Sequence, residues 1–366
     1  MLIGSNAHAN FRQGRRVCRA GAEGHLLHQP RSPDGVLMER FTPALDFHLL
    51  NDFQHDFPLC AAPFAELAAR LGVSEGTVLR MLEALRREGK IARVGAVFAP
   101  KRIGASTLTA MAVPPEKLAA VAEAVNRFPE VNHNYEREHR YNLWFVVTAG
   151  SEGRLHAALG AIEKVAGYPL LQLPLLQEYH IDLGFTLDGK GEKVATGSLV
   201  RRPPFAPPPP LDEPERRLVM ALQEGLPLFI RPFSVLASRI GCDESEVLER
   251  IHRWCAEGII KRFGVVVRHH ELGYTANAML VHDVPEALAD ELGDQLARAA
   301  GVTLCYLRRR QLPQWRYNLF CMIHGQERAE VEERITALRA QLSLTGYAHD
   351  VLFSRTRFKQ NGARYA

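Results

Sequence analysis

Residues 63–98, "PFAELAARLGVSEGTVLRMLEALRREGKIARVGAVF", return in altered form at 232–267 as "PFSVLASRIGCDESEVLERIHRWCAEGIIKRFGVVV". Pro63 matches Pro232, Gly72 matches Gly241, Gly89 matches Gly258 and Gly95 matches Gly264, every pair 169 positions apart. Similarity at a fixed offset has to be settled before any fold is assigned, and here it makes the chain a tandem of two diverged units. In the first copy Pro63 suits a first helical turn, Gly72 a tight turn, and Ser74 the N-cap of a second helix. Val78, Met81, Leu82 and Leu85 lie on one face at helical spacing. Gly89 ends that helix and "KIARVGAVF" has strand character. Helix, turn, helix and a small β-wing make a winged helix-turn-helix.

The second part of each unit alternates strands and helices. "STLTAMAV" reads as a strand, "PEKLAAVAEAVNRF" as a helix, "VNHNYER" and "YNLWFVV" as a hairpin, "SEGRLHAALGAIEKV" as a helix and "LPLLQEYHIDLGF" as a last strand. That β-α-β-β-α-β order is ferredoxin-like, and "NAMLVHDV" through "YAHDVLFSRTRF" repeats it. The expected architecture is therefore α+β. Winged helices occupy 43–103 and 212–272, and ferredoxin-like domains 104–190 and 273–358. A stiff proline-rich linker at 191–211 enters "RRPPFAPPPPLDEPE", and a tail fills 359–366. Two helices should cover one face of each sheet and leave the other to a ligand or partner. Residues 1–42 carry Arg12, Arg15, Arg16 and Arg19 without a periodic apolar face. They read as a disordered extension, with Met38 a candidate start, or as an organelle-type transit segment.

The 366 residues are 46% hydrophobic and 23% charged, with a net charge of +4. This is an ordinary soluble composition. No apolar run nears the roughly 20 residues of a membrane span. The six cysteines form no C-x-x-C pair and read as thiols of a reducing, cytoplasmic compartment rather than a disulfide frame or zinc site.

A winged helix suggests DNA, but the second reading helix opens with Asp243, Glu244, Glu246 and Glu249. Acids favour a helix N-terminus and repel phosphate, so DNA is not the expected partner. The hairpin says more. Side chains two apart on a strand share a face, so His133, Tyr135 and Arg137 point together, as do Leu304, Tyr306 and Arg308 in the other copy. His139, at the first hairpin's turn, has Trp315 as its nearest counterpart, while the second copy adds Arg309 and Arg310. Arginines hold anions through forked charge-assisted bonds and a histidine moves protons. Singly, the tyrosines are ordinary sheet residues and the arginines a solvated edge that discourages aggregation. Together they suit a polyanionic, partly aromatic ligand such as a flat macrocycle bearing several carboxylates.

"HNYEREHRYNLWFVV" and "CYLRRRQLPQWRYNLFCMIHG" resemble the paired signatures of the siroheme decarboxylases, whose fold is like that of the Lrp/AsnC regulators. The resemblance covers residues 43–357. It implies a fusion of a D-like and an L-like subunit that pair within the chain, with further self-association left open. The implied reaction removes the C12 and C18 acetate carboxylates of siroheme, in heme d1 or alternative heme synthesis. No organic cofactor and no resident metal is implied, because the iron enters with the substrate. On this reading His133 or His139 donates the proton, while Arg137 and Tyr135 position the reacting acetate. Arg308, Arg309 and Tyr306 bind other carboxylates, with Arg140 and Arg316 as further candidates. His269 and His270 are candidates for an axial ligand to the substrate iron. The rival readings are a tetrapyrrole-responsive transcription regulator of the Lrp/AsnC type and an amino-acid-binding regulatory module.

Overall fold

A computed structural model describes residues 43–99, 102–181, 211–362 and 365. The expected N-terminal extension and most of the linker lie outside these residues. The first repeat runs α1 (Pro43–Asn51), α2 (Pro63–Leu71), α3 (Glu75–Arg87) and β1 (Ile91–Phe98), then β2 (Ala105–Met111), α4 (Leu118–Asn126), β3 (Val131–Arg137), β4 (Leu143–Ala149), α5 (Glu152–Ala166) and β5 (Leu171–Ile181). The second runs α6 (Glu213–Glu224), α7 (Pro232–Ile240), α8 (Glu244–Ala256) and β6 (Ile260–Val267), then β7 (Ala276–His282), α9 (Glu286–Arg298), β8 (Val302–Arg308), β9 (Leu319–Gly325), α10 (Arg328–Gln341) and β10 (His349–Gln360). No helix among the described residues is long and apolar enough to cross a membrane.

The local signals act as their chemistry requires. Ser74 Oγ accepts from the Thr77 amide at 3.2 Å and starts α3. Gly72 and Gly241 close α2 and α7 with φ of 67° and 75°, a left-handed turn that costs glycine least. Val78, Met81, Leu82 and Leu85 are buried, each contributing roughly 2 kcal/mol of apolar transfer. They belong to one core shared by both winged-helix segments, together with Phe233, Ile251 and Trp254.

The two wings pair with each other. β1 and β6 form an antiparallel two-stranded sheet in which Gly95 faces Gly264. A Cβ at Gly264 would stand 2.4 Å from the carbonyl oxygens of Phe53 and Gln54. This close approach accounts for the glycine in the motif. Neither strand is therefore a free wing of the kind that contacts a DNA backbone.

Each α/β part has the ferredoxin-like strand order, β5-β2-β4-β3 and β10-β7-β9-β8, but the two sheets are not separate. They close into one eight-stranded antiparallel barrel, β10-β3-β4-β2-β5-β8-β9-β7. The long strands β5 and β10 make the closure. Leu171–Pro174 pair with β2 and Leu175–Ile181 with β8. His349–Phe353 pair with β7 and Ser354–Gln360 with β3. The sheet face expected to be free is thus the barrel interior, enclosed by the other repeat. The expected tail is corrected too: β10 continues to Gln360 and Tyr365 is buried, its ring packed where a side chain on Gly104 would sit.

Candidate active site

Tyr141, Trp144, Leu173, Val281, Trp315, Phe320 and Leu352 form an aromatic cluster inside the barrel. Beside it lies a cavity of about 230 Å³, with about 1200 Å³ of free space once its open mouth is counted. Trp144 and Phe320 belong to both. The rest of the lining comes from both repeats and includes His133, Tyr135 and Arg137 from β3, Leu304, Tyr306 and Arg308 from β8, Met322 and His324 from β9, and Arg357 from β10. Strand alternation brings the two expected triplets to one space, since beyond the register shifts after Val131 and Val302 the positions 133, 135 and 137 of β3 and 304, 306 and 308 of β8 face the barrel interior.

The triplets are related as the repeats are. Arg137 lies over Tyr135, its Cζ 5.8 Å from the ring centre, and Arg308 over Tyr306 at 5.1 Å. Arg137 Nη1 donates to the Leu352 carbonyl at 2.9 Å, and Arg308 Nη1 to the Leu173 carbonyl at 2.8 Å. Each arginine is thereby held by the other repeat's closing strand. Arg137 is only 8% exposed, and Arg308 Nε is buried without a hydrogen-bond partner. Burial pushes both guanidiniums down to about 10. Among the described residues no carboxylate pairs with either, and the described lining contains no acid. The acids of the first hairpin face elsewhere: Glu136 accepts from Thr356 Oγ1 at 2.7 Å, and Glu138 from Arg328 at 2.9 Å and Arg355 at 3.2 Å. Two buried cations without counter-charge are costly, and an anionic ligand would relieve that cost.

His133 is held as a neutral ring. Asn132 Nδ2 donates to Thr148 Oγ1 at 3.0 Å, which turns its Oδ1 toward His133 Nδ1 at 2.9 Å. An amide oxygen only accepts, so Nδ1 carries the proton and Nε2 the lone pair. Burial lowers the ring to about 4. In the free protein His133 is therefore neutral, with the Nε2 lone pair available. Burial also raises the Tyr135 and Tyr306 hydroxyls above their ordinary range.

His139, Arg140, Arg309 and Arg316 do not line the cavity. His139 accepts the Tyr141 amide on Nδ1 at 2.9 Å and places Nε2 3.4 Å from Asp350. Its ring meets Trp315 edge-on at 5.4 Å, within the aromatic cluster. Arg140 is exposed, its Cζ 5.7 Å from the Tyr141 ring centre. Arg309 is exposed past the end of β8. Arg316 donates to Asp283 at 2.8 Å, as Arg310 does at 2.7 Å, so a surface acid absorbs both. Tyr141-Asn142 and Tyr317-Asn318 occupy matching places just before β4 and β9, and their asparagines carry structure: Asn142 bonds both backbone groups of Val113, and Asn318 both of Val284. His269 and His270 open a 3-10 helix, His269–Leu272, whose Glu271 bonds Arg357.

Sequence reasoning missed His324. Its Nδ1 lies 2.9 Å from Thr303 Oγ1, which donates to the Met322 carbonyl at 3.2 Å. The hydroxyl proton is thus committed, and His324 Nδ1 is the donor to Thr303. Burial, then the charge of Arg137, lowers the ring to about 4. The expected contrast, histidines from one copy and arginines from the other, is therefore replaced by a matched arginine, tyrosine and histidine from each repeat, with Arg357 added by the second. Matching the hairpins residue by residue sets His324 on β9 at the position that Thr148 holds on β4, one residue past the stretch read as a strand.

Family models agree with this architecture. One described as AsnC-like ligand binding domain matches residues 102–180 and 271–359. Another, Siroheme decarboxylase NirDL-like HTH domain, matches 46–91 and 215–261. The crystal structure of the siroheme decarboxylase NirDL superposes with a TM-score of 0.64 at 30% identity, over 88% of this chain and 94% of that one. A crystal structure of NirDL in co-complex with an iron-uroporphyrin III analogue gives 0.63 at 29% identity, over 88% and 93%. The siroheme decarboxylase NirDL subunit of Paracoccus pantotrophus is 44% identical over 324 residues, 87% of this chain and 96% of the relative. Likeness of that degree, sustained through both winged-helix segments and both halves of the barrel, makes the chain a member of the siroheme decarboxylase family.

Proposed function

We propose that this chain decarboxylates siroheme, removing the C12 and C18 acetate carboxylates to give 12,18-didecarboxysiroheme and carbon dioxide, in heme d1 or alternative heme biosynthesis. The observation that carries this reading is the pair of buried guanidiniums, Arg137 and Arg308, without counter-charge in a cavity walled by aromatic rings. A flat macrocycle edged with carboxylates complements both features: its rim meets the cations through charge-assisted bonds, and its faces meet Tyr135, Tyr306, Trp144 and Phe320.

In each decarboxylation the bond between the acetate methylene and its carboxylate carbon breaks. Carbon dioxide leaves, the electron pair passes into the pyrrole, and a proton restores neutrality as the methylene becomes a methyl. Tyrosine rings and aliphatic side chains around the reacting carboxylate remove water, which raises the energy of its localised charge relative to the transition state, where that charge spreads into the ring. Arginines that grip the other carboxylates fix the ring without stabilising the one that must depart. The proton comes through His133. Neutral in the free protein, it gains basicity when an anionic substrate enters, because a nearby negative charge favours the imidazolium. The iron arrives within the substrate, and the reaction needs no organic cofactor.

The paired wings and the acidic start of α8 speak against a DNA-binding regulator. Anaerobic incubation of the purified protein with siroheme, followed by mass spectrometry of the tetrapyrrole, is expected to show successive losses of one and two carbon dioxides. Unchanged siroheme after prolonged incubation would refute the proposal.

A further inference from the structure

The third arginine of the cavity differs from the other two. Arg357 lies on β10 opposite Tyr135, between two register shifts of the β10–β3 ladder. Its side chain is 28% exposed, at the edge of the site, and lowers the Tyr135 hydroxyl against the larger effect of burial. Unlike Arg137 and Arg308 it has an acid of its own. Glu271, in the 3-10 helix His269–Leu272 between β6 and β7, pairs with it, and Gln360 Oε1 accepts a further bond at 3.1 Å. Glu271 is 35% exposed and does not line the cavity. Ion pairs as exposed as this are weak, so a ligand carboxylate can exchange with Glu271.

We infer that Arg357 is a third carboxylate-binding residue whose internal partner, Glu271, competes with the tetrapyrrole: on binding, a ligand carboxylate takes the guanidinium and Glu271 is released. This rests on the tetrapyrrole reading above and deepens it. The two unpaired arginines attract any polyanion, whereas Arg357 engages only a ligand whose carboxylate reaches the rim and outbids Glu271. The exchange therefore sets a threshold that favours ligands with more carboxylates over those that have lost them.

The test is a double-mutant cycle on the full chain, titrated with iron-uroporphyrin III and followed by absorbance. Glu271→Gln removes the competing charge and is expected to tighten binding about threefold to tenfold. Arg357→Gln is expected to weaken it tenfold or more. In the double variant the gain from Glu271→Gln should vanish, because its route is through Arg357. Unchanged or weaker binding by Glu271→Gln would overturn the inference. So would a gain that persists in the Arg357→Gln background, which would make Glu271 a general repulsive charge. Failure of the wild-type chain to bind the probe would overturn the tetrapyrrole reading and this inference with it. Wild-type binding without the Glu271 effect would remove only the latter.

Discussion

Replacing Arg308 by methionine should leave the free protein about as stable as before while largely abolishing ligand binding. Burial takes the guanidinium well below its ordinary range, to about 10, which corresponds to roughly 3 kcal/mol spent on keeping the charge in the folded state. Methionine removes that cost. It also orphans the Leu173 carbonyl, now bonded at 2.8 Å, a loss of about 1–2 kcal/mol. It gives up the contacts over Tyr306 and Phe320 at 5.1 and 5.8 Å, worth about 0.5–1 kcal/mol. The terms nearly cancel, leaving between no change and about 1.5 kcal/mol of stabilisation, or at most about 2 °C in Tm. Binding of a carboxylated tetrapyrrole, by contrast, loses a desolvated charge pair worth about 2–5 kcal/mol, at least thirtyfold in Kd. Thermal unfolding of the free protein and an absorbance titration with iron-uroporphyrin III measure the two sides. A fall in Tm of more than about 5 °C would show that Arg308 has a protein counter-charge after all, and would refute the argument that the cavity stores unpaired positive charge for its ligand.

Three other outcomes are expected. His133→Ala should slow siroheme turnover by about a hundredfold or more, while His139→Ala, bonded to Tyr141 and Asp350 away from the cavity, should stay within a few-fold of wild type; stopped assays on both variants decide it. Gly293→Ala in α9 should destabilise by about 1–3 kcal/mol through overpacking, reversing the usual gain of alanine in a helix, because its Cβ would fall 2.2 Å from the Tyr179 ring; Tm is the readout. Acid should destabilise the fold through His282, which is fully buried with neither ring nitrogen bonded and lies at about 3. The unfolded chain protonates first, near pH 6.5, so stability is complete above that and falls as pH drops toward 3, by roughly 5 kcal/mol. The urea midpoint of His282→Phe should depend less steeply on pH over this window than that of wild type.

Much of the fold was legible because duplication let each unit check the other. Pro63 with Pro232 and Gly72 with Gly241 mark helix starts and stops, and Val78, Met81, Leu82 and Leu85 mark one apolar face. The facing of His133, Tyr135 and Arg137 followed from strand alternation alone. What was not legible was the closure. Nothing in "LPLLQEYHIDLGF" says that the strand leaves its own sheet midway, because pairing partners are set by tertiary geometry rather than local pattern. The misplaced residues follow from that. His139, Arg140, Arg309 and Arg316 sit where the hairpins end, and a hairpin end stands on the rim of a sheet. Only the barrel shows that this rim packs against Trp315 and Asp283 instead of facing the ligand. His324 was passed over because it lies one residue past "YNLFCMI", the apolar stretch read as the strand, although β9 runs on to Gly325.

Closure also explains why the site needs both repeats. A four-stranded sheet with helices on one face offers its other face to water, where a guanidinium is fully hydrated and binds carboxylates weakly. Joining two such sheets through β5 and β10 withdraws Arg137 and Arg308 from water at once, and each is then bonded to the strand that buries it, at the Leu352 and Leu173 carbonyls. The same crossing sets Arg357, carried on β10, opposite Tyr135 of the first repeat. Repeat pairing and anion binding are therefore one property. A substitution that loosens the β5–β8 or β10–β3 edge should weaken ligand affinity even where it touches no lining residue, and bound ligand should in turn hold those edges shut, as linkage requires.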